Sequence, residues 1–161
     1  MKKIFALSLI LAFLHFPILA SEETVIYLVR HAEKVQDGTK DPTLSEQGVA
    51  RSKKLAELLK DKNIRVIYST DFKRTRLTAK PLADRLGIEI KLYDYKKLSE
   101  LANTLKNSKQ NILVVGHSNT TPELVELISG KVVEPIKEIE YSKLFTIKLL
   151  VEDYIVGTDM Y

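Results

Sequence analysis

Two stretches decide how this chain folds: Thr24-Val25-Ile26-Tyr27-Leu28-Val29-Arg30-His31-Ala32-Glu33 and Asn111-Ile112-Leu113-Val114-Val115-Gly116-His117-Ser118-Asn119. Each is a short apolar run rich in β-branched residues, broken off by a histidine. Such runs read as strands, and the second, apolar on both faces, reads as a central one. The chain contains three histidines. His15 lies in an N-terminal leader, so His31 and His117 remain, both at the carboxyl ends of predicted strands.

Working outward, strand-like and helix-like stretches alternate. Thr24–Arg30 is the first predicted strand. Ser45 is placed to cap an amphipathic helix running through Leu55, Leu58 and Leu59. Ile64–Tyr68 is a second strand, and Asp71–Leu86 a second helix stopped by Gly87. Pro81 falls inside that helix and is expected to bend it or split off its first turns. Ile88–Tyr93, Leu98–Leu105, Asn111–Val115 and Pro122–Ile128 continue the alternation as strand, helix, strand, helix. Leu144–Val151 reads as a late strand, with Tyr154–Gly157 as its partner. This order predicts an α/β three-layer sandwich: a mainly parallel central sheet, helices on both faces, and an antiparallel edge strand. Ligands of such folds bind beyond the carboxyl ends of the strands. Arg30, His31, Ser69, Thr70, Asp94, Gly116 and His117 all fall at such ends.

Length and composition set bounds. The 161 residues suit one domain. Lys2-Lys3, an apolar run from Ile4 to Leu19, and Ala20-Ser21-Glu22-Glu23 have the layout of a signal peptide cleaved after Ala20. The expected division is therefore residues 1–20 as leader and 21–161 as the folded domain, in a periplasmic or secreted location. A retained anchor is the alternative, but the run falls short of the ~20 apolar residues that comfortably span a bilayer, and no stable membrane insertion is expected after cleavage. Without Lys2 and Lys3 the formal charge falls from +4 to +2, and no basic block remains to suggest nucleic acid. The absence of cysteine excludes disulfides and thiolate metal sites.

A third stretch, Tyr68-Ser69-Thr70-Asp71-Phe72-Lys73-Arg74-Thr75-Arg76, carries a strand into a helix, with Ser-Thr-Asp as the expected cap. A helix N-terminus offers free amides to an anion, and an arginine in its first turns adds a planar bidentate donor suited to phosphate. Two strand-end imidazoles with Arg30 and Arg74 are what phosphoryl transfer requires: a neutral imidazole to attack phosphorus, cations for the equatorial oxygens, and an acid for the leaving group.

These blocks resemble the histidine phosphatase superfamily, with its phosphoglycerate-mutase-like fold. Leu28-Val29-Arg30-His31-Ala32-Glu33 is similar to the signature around that family's nucleophile. Tyr68 to Arg74, continuing to Thr78-Ala79, is similar to its second block, and Val115-Gly116-His117-Ser118 to the block with its second histidine. Leu44-Ser45-Glu46-Gln47-Gly48 is similar to the lead-in to the first helix. The resemblance implies that His31 is the nucleophile, that Arg30, Arg74 and His117 line a phosphate pocket, that Ser118 donates to phosphate or caps the next helix, and that neither metal nor cofactor takes part. Glu33 is expected to orient the pocket or pair with an arginine, and Asn119 to cap the helix after it.

The resemblance has one gap. The mutase branch carries its general acid in an insertion after the third strand, which is missing here; the small size is similar to the phosphohistidine-phosphatase branch. Asp94 at the strand end is the first candidate acid, Glu100 the second, and water the third. The expected activity is hydrolysis of a phosphomonoester on a small phosphorylated substrate or an envelope component. The alternatives are a phosphohistidine-protein phosphatase and a weakly active phosphate-binding domain. A metal held by His31 and His117 would need Glu33 or Asp94 as further ligands and would be repelled by the neighbouring arginines.

Overall fold

In a computed structural model, residues 23–150 and 153–161 are described. The expected leader lies outside them. Ten elements follow in order: β1 Thr24–Arg30, α1 Glu46–Leu59, β2 Ile64–Thr70, α2 Lys73–Leu86, β3 Ile90–Tyr93, α3 Leu98–Lys106, β4 Asn111–Gly116, α4 Thr120–Ser129, β5 Lys143–Leu149 and β6 Tyr154–Met160. They form a six-stranded sheet of order β3-β2-β4-β1-β5-β6. The pairings β2·β3, β2·β4 and β1·β4 are parallel, and β5 runs antiparallel to both β1 and β6. β5 and β6 thus make an antiparallel edge, with β6 outermost.

Side-chain alternation builds three layers. Ile26 and Leu28 of β1, with Ile112 and Val114 of β4, pack against Leu101, Leu105, Leu124 and Ile128 of α3 and α4. Tyr27 and Val29, with Leu113 and Val115, face Leu55, Leu59, Leu82 and Ala83 of α1 and α2. Both central strands bury both faces, which explains why their sequences are continuous apolar runs rather than alternating ones. β1 and β4 are neighbours whose following helices depart to opposite faces, so a crevice opens at their carboxyl ends.

Three expectations require correction. Helix α2 runs unbroken across Pro81, so its first turns are not split off. A proline removes a single amide donor, and Thr75, Thr78, Ala79, Leu82 and Ala83, buried on both sides of it, hold the helix to the sheet. The same helix begins at Lys73 rather than Asp71, and its Phe72 cap makes no side-chain bond. Asp71 instead pairs with Arg76 at 2.8 Å, and the Lys73 amide donates to Asp41 from a distant loop. Strand β3 starts at Ile90, two residues later than expected.

Candidate active site

The register of the two central strands makes the site. Arg30 pairs with Gly116, and the His31 amide donates to the Gly116 carbonyl at 2.9 Å. His31 and His117, one residue beyond that pair, therefore emerge side by side, their ring centroids 5.5 Å apart and nearly edge to face. They line a cavity of about 350 Å³ with Arg30, Lys34, Phe72, Arg74, Tyr95, Ser118, Asn119 and Glu138.

His31 is 4 % exposed, and its Nδ1 lies 2.8 Å from the Ala32 carbonyl oxygen. A carbonyl only accepts, so Nδ1 carries the proton and Nε2 keeps the lone pair. Burial lowers the His31 pKa to about 3; the bond to Ala32 opposes this, and the charges of Arg30, His117 and Arg74 add to it. The imidazole is consequently neutral at physiological pH, as a nucleophile must be. The Ala32 amide in turn donates to Thr78 Oγ1, and the Thr78 hydroxyl donates to the Arg74 carbonyl. One threonine thus ties the His31 loop to the helix that carries Arg74.

His117 is held similarly. Its Nε2 lies 3.0 Å from Thr70 Oγ1. The Thr70 hydroxyl donates to Thr75 Oγ1, and the Thr75 hydroxyl to backbone carbonyls. With the Thr70 proton so committed, its oxygen accepts from His117 Nε2–H. Burial, then Arg74 and Arg30, brings the His117 pKa down to about 4.

The two arginines present Nε groups that are buried and without a protein partner. Both belong to the cavity wall. The terminal nitrogens of Arg30 are engaged: Nη1 donates to the carbonyls of Lys137, Glu138 and Glu140, and Nη2 to Glu138 Oε2 at 3.0 Å. Its guanidinium also lies 4.2 Å from the Tyr141 ring centroid. Arg74 stacks on Phe72 at 4.3 Å and stands 3.8 Å from Asp41. Ser118 reaches the cavity, and its hydroxyl donates to Glu138 Oε1.

Other expected residues lie elsewhere. Asp94 does not line the cavity; its exposed carboxylate accepts from the Lys96 amide and closes the turn after β3. Glu100 is paired with Lys97 on the exposed face of α3. Neither is among the residues that line the cavity. Glu33 is bound bidentately by Arg51, which anchors the His31 loop to α1. Asn119 stands at the N-cap of α4 but makes no capping bond; Thr120 Oγ1 accepts from the His117 amide instead. Glu138, the carboxylate in the cavity wall, was missed by sequence reasoning. It belongs to the irregular segment between α4 and β5, where no periodicity or motif marks a side chain. Phe72 and Tyr95 were also missed, although each adjoins a residue already singled out.

Comparison with known proteins agrees with this geometry. Residues 26–103 match the family model described as histidine phosphatase superfamily (branch 1). Over that stretch the chain is similar to the histidine phosphatase superfamily. The matched stretch holds Arg30, His31 and Arg74; His117 comes from the fold. Phosphoserine phosphatase 1 of Hydrogenobacter thermophilus is 41% identical over 71 residues, 40% of this chain. That alignment spans about a third (34%) of the relative's length. In fold, the chain is similar to the protein histidine phosphatase SixA complexed with tungstate, with a TM-score of 0.70 and 18% identity over 85% of this chain and 97% of that one. It is likewise similar to a phosphoserine phosphatase from Entamoeba histolytica, with a TM-score of 0.64 and 17% identity over 86% and 98% of the two chains.

Proposed function

We propose that this protein is a phosphomonoester hydrolase working through a phosphohistidine on His31. The observation that carries the reading is the fixed tautomer: Nδ1–H is committed to the Ala32 carbonyl, which leaves a lone pair on Nε2 in a pocket whose two arginine Nε donors are free. Nε2 attacks phosphorus, the P–N bond forms, and the P–O ester bond breaks as the leaving oxygen takes a proton from solvent water. Water then attacks the phosphohistidine, returning Nε2 and releasing inorganic phosphate. Arg30 Nε, Arg74 Nε and the Ser118 hydroxyl are the donors for the equatorial oxygens. His117, kept neutral by burial and by Arg74 and Arg30, is suited to take up a proton once the phosphoryl charge offsets those arginines. The arginines supply the positive charge that a metal would otherwise bring.

The signal-peptide layout of residues 1–20 favours a periplasmic or secreted protein acting on an exported phosphorylated metabolite or envelope phosphate. A second reading, a domain that binds phosphate with little turnover, is favoured by the positions of Asp94 and Glu100 outside the cavity, which leave the acid to Glu138, His117 or water. The deciding experiment is hydrolysis of para-nitrophenyl phosphate by residues 21–161 in EDTA, with acid-quench trapping of a phosphoprotein. Turnover and an acid-labile phosphohistidine, both lost in His31→Ala, are expected. A protein that binds phosphate but neither turns over nor labels has the second function.

A further inference from the structure

Beside the histidines stands an aromatic wedge that the chemistry of phosphoryl transfer does not require. Phe72 and Tyr95 come from different connections, the turns after β2 and β3, yet their ring centroids lie 5.8 Å apart at 51°. Both meet His117 edge to face, at 5.2 and 6.1 Å. Both line the cavity, and Tyr95 remains 39 % exposed. The two rings thus lead from the half-buried imidazole to solvent. Arg74, seated on Phe72, joins this wall directly to the phosphate donors.

From these positions we infer that the site selects phosphomonoesters whose leaving group carries a flat aromatic ring within one or two bonds of the ester oxygen. The inference rests on the proposed hydrolysis. In-line attack by His31 drives the ester oxygen outward, and the aromatic wall flanks that path. A ring entering there finds two partners inclined to one another, an arrangement suited to edge-to-face and offset contacts. A saturated ring of the same size gains the hydrophobic contact but loses the quadrupolar one. The remaining rim, with Lys34, Asn119, Ser118 and Glu138, is polar and gives an aliphatic chain no comparable surface.

The test compares benzyl phosphate with cyclohexylmethyl phosphate, two primary-alcohol esters of similar bulk and similar leaving ability. Wild-type kcat/KM is expected to favour the benzyl ester about threefold to tenfold. Tyr95→Leu and Phe72→Leu are each expected to narrow that ratio toward one. A wild-type ratio near one, or a ratio unchanged in both variants, overturns the inference. Calorimetric binding of benzylphosphonate against cyclohexylmethylphosphonate asks the same question without turnover. The same preference is expected there even if neither ester is hydrolysed, so failure of the catalytic reading and failure of the aromatic one are separable. Free phosphotyrosine and the same residue within a short peptide share one leaving group, so their relative rates distinguish a small aryl ester from a protein side chain as the source; hydrolysis of neither, beside a good rate on cyclohexylmethyl phosphate, contradicts the inference.

Discussion

Arg30 and Glu138 hold one another at the cavity wall, Nη2 to Oε2 at 3.0 Å, with side chains 4 % and 85 % exposed. The asymmetry matters. The arginine is fixed, because three carbonyls of the same loop accept from its Nη1. The carboxylate is the exposed partner and also accepts from Ser118. A phosphoryl oxygen arriving at the Ser118 hydroxyl competes with it for that donor, and one at Arg30 Nε comes to lie near its charge.

Glu138→Gln is therefore expected to tighten inorganic phosphate about threefold to tenfold, since it removes a nearby negative charge partly screened by water. The three carbonyl contacts keep Arg30 in place. Titration calorimetry with phosphate measures this directly. Weaker binding in the variant would mean that the carboxylate positions Arg30 rather than competing with substrate.

His31→Asn is expected to lower kcat by at least about 10³-fold, because removing a nucleophile removes the pathway rather than one contact. Thermal stability is expected to hold or rise, as the variant no longer buries a group that favours protonation in acid. A variant retaining a tenth of wild-type turnover would exclude His31 as the phosphoryl carrier.

The histidines also set an acid limit on stability. In the unfolded chain an imidazole takes up its proton near pH 6.5. In the folded protein His31 does so only near 3 and His117 near 4. Between these values the unfolded state binds more protons, so stability falls as pH drops from about 6.5 toward 4. The loss over pH 6.5 to 5 precedes that from Glu33, whose pKa is depressed below its ordinary 4.5 by Arg51 despite the opposing effect of burial. Melting temperatures across this range are expected to fall in wild type and to fall less in His117→Asn. Sulfate, a dianion throughout, is expected to bind more tightly at pH 5 than at pH 8, with proton uptake at the lower pH.

Asp94→Asn is expected to leave the ratio of rates on good and poor leaving groups within about twofold of wild type. A general acid would make that ratio diverge, but Asp94 is engaged by the Lys96 amide outside the cavity. Alkyl and nitrophenyl phosphates assayed side by side decide the point.

The parts of the site that lie on regular structure were legible in the chain. A histidine that ends an apolar run sits at a strand end, and Asn111–Val115, apolar on both faces, reads as a central strand; that His31 and His117 stand side by side follows from the pairing of that strand with β1. Arg74 was marked by the strand-to-helix junction. What was hidden depends on contacts between distant segments. The Lys73 amide is met by Asp41, which no local rule for caps foresees. Glu138 sits where the segment before β5 happens to cross Arg30. Asp94 occupies a strand end, as read, but a strand end fixes only the backbone, and its side chain closes a local turn.

Gly48 shows how far the His31 loop depends on its support. A Cβ at this position, near the start of α1, would sit 2.0 Å from the Glu33 carbonyl oxygen. The Ser45 amide donates to that same oxygen, and the Glu33 side chain is held by Arg51 on the same helix. The backbone two residues beyond His31 is thus gripped at both its carbonyl and its carboxylate. Gly48→Ala must push the loop away from the helix, at a cost of about 1–3 kcal/mol. The displaced loop carries Ala32, whose carbonyl fixes the His31 tautomer. The expected outcome is a lower urea midpoint together with a fall in kcat that exceeds the change in KM for the same ester. A destabilised variant with wild-type kcat at low temperature would show that the Ala32 contact survives the shift.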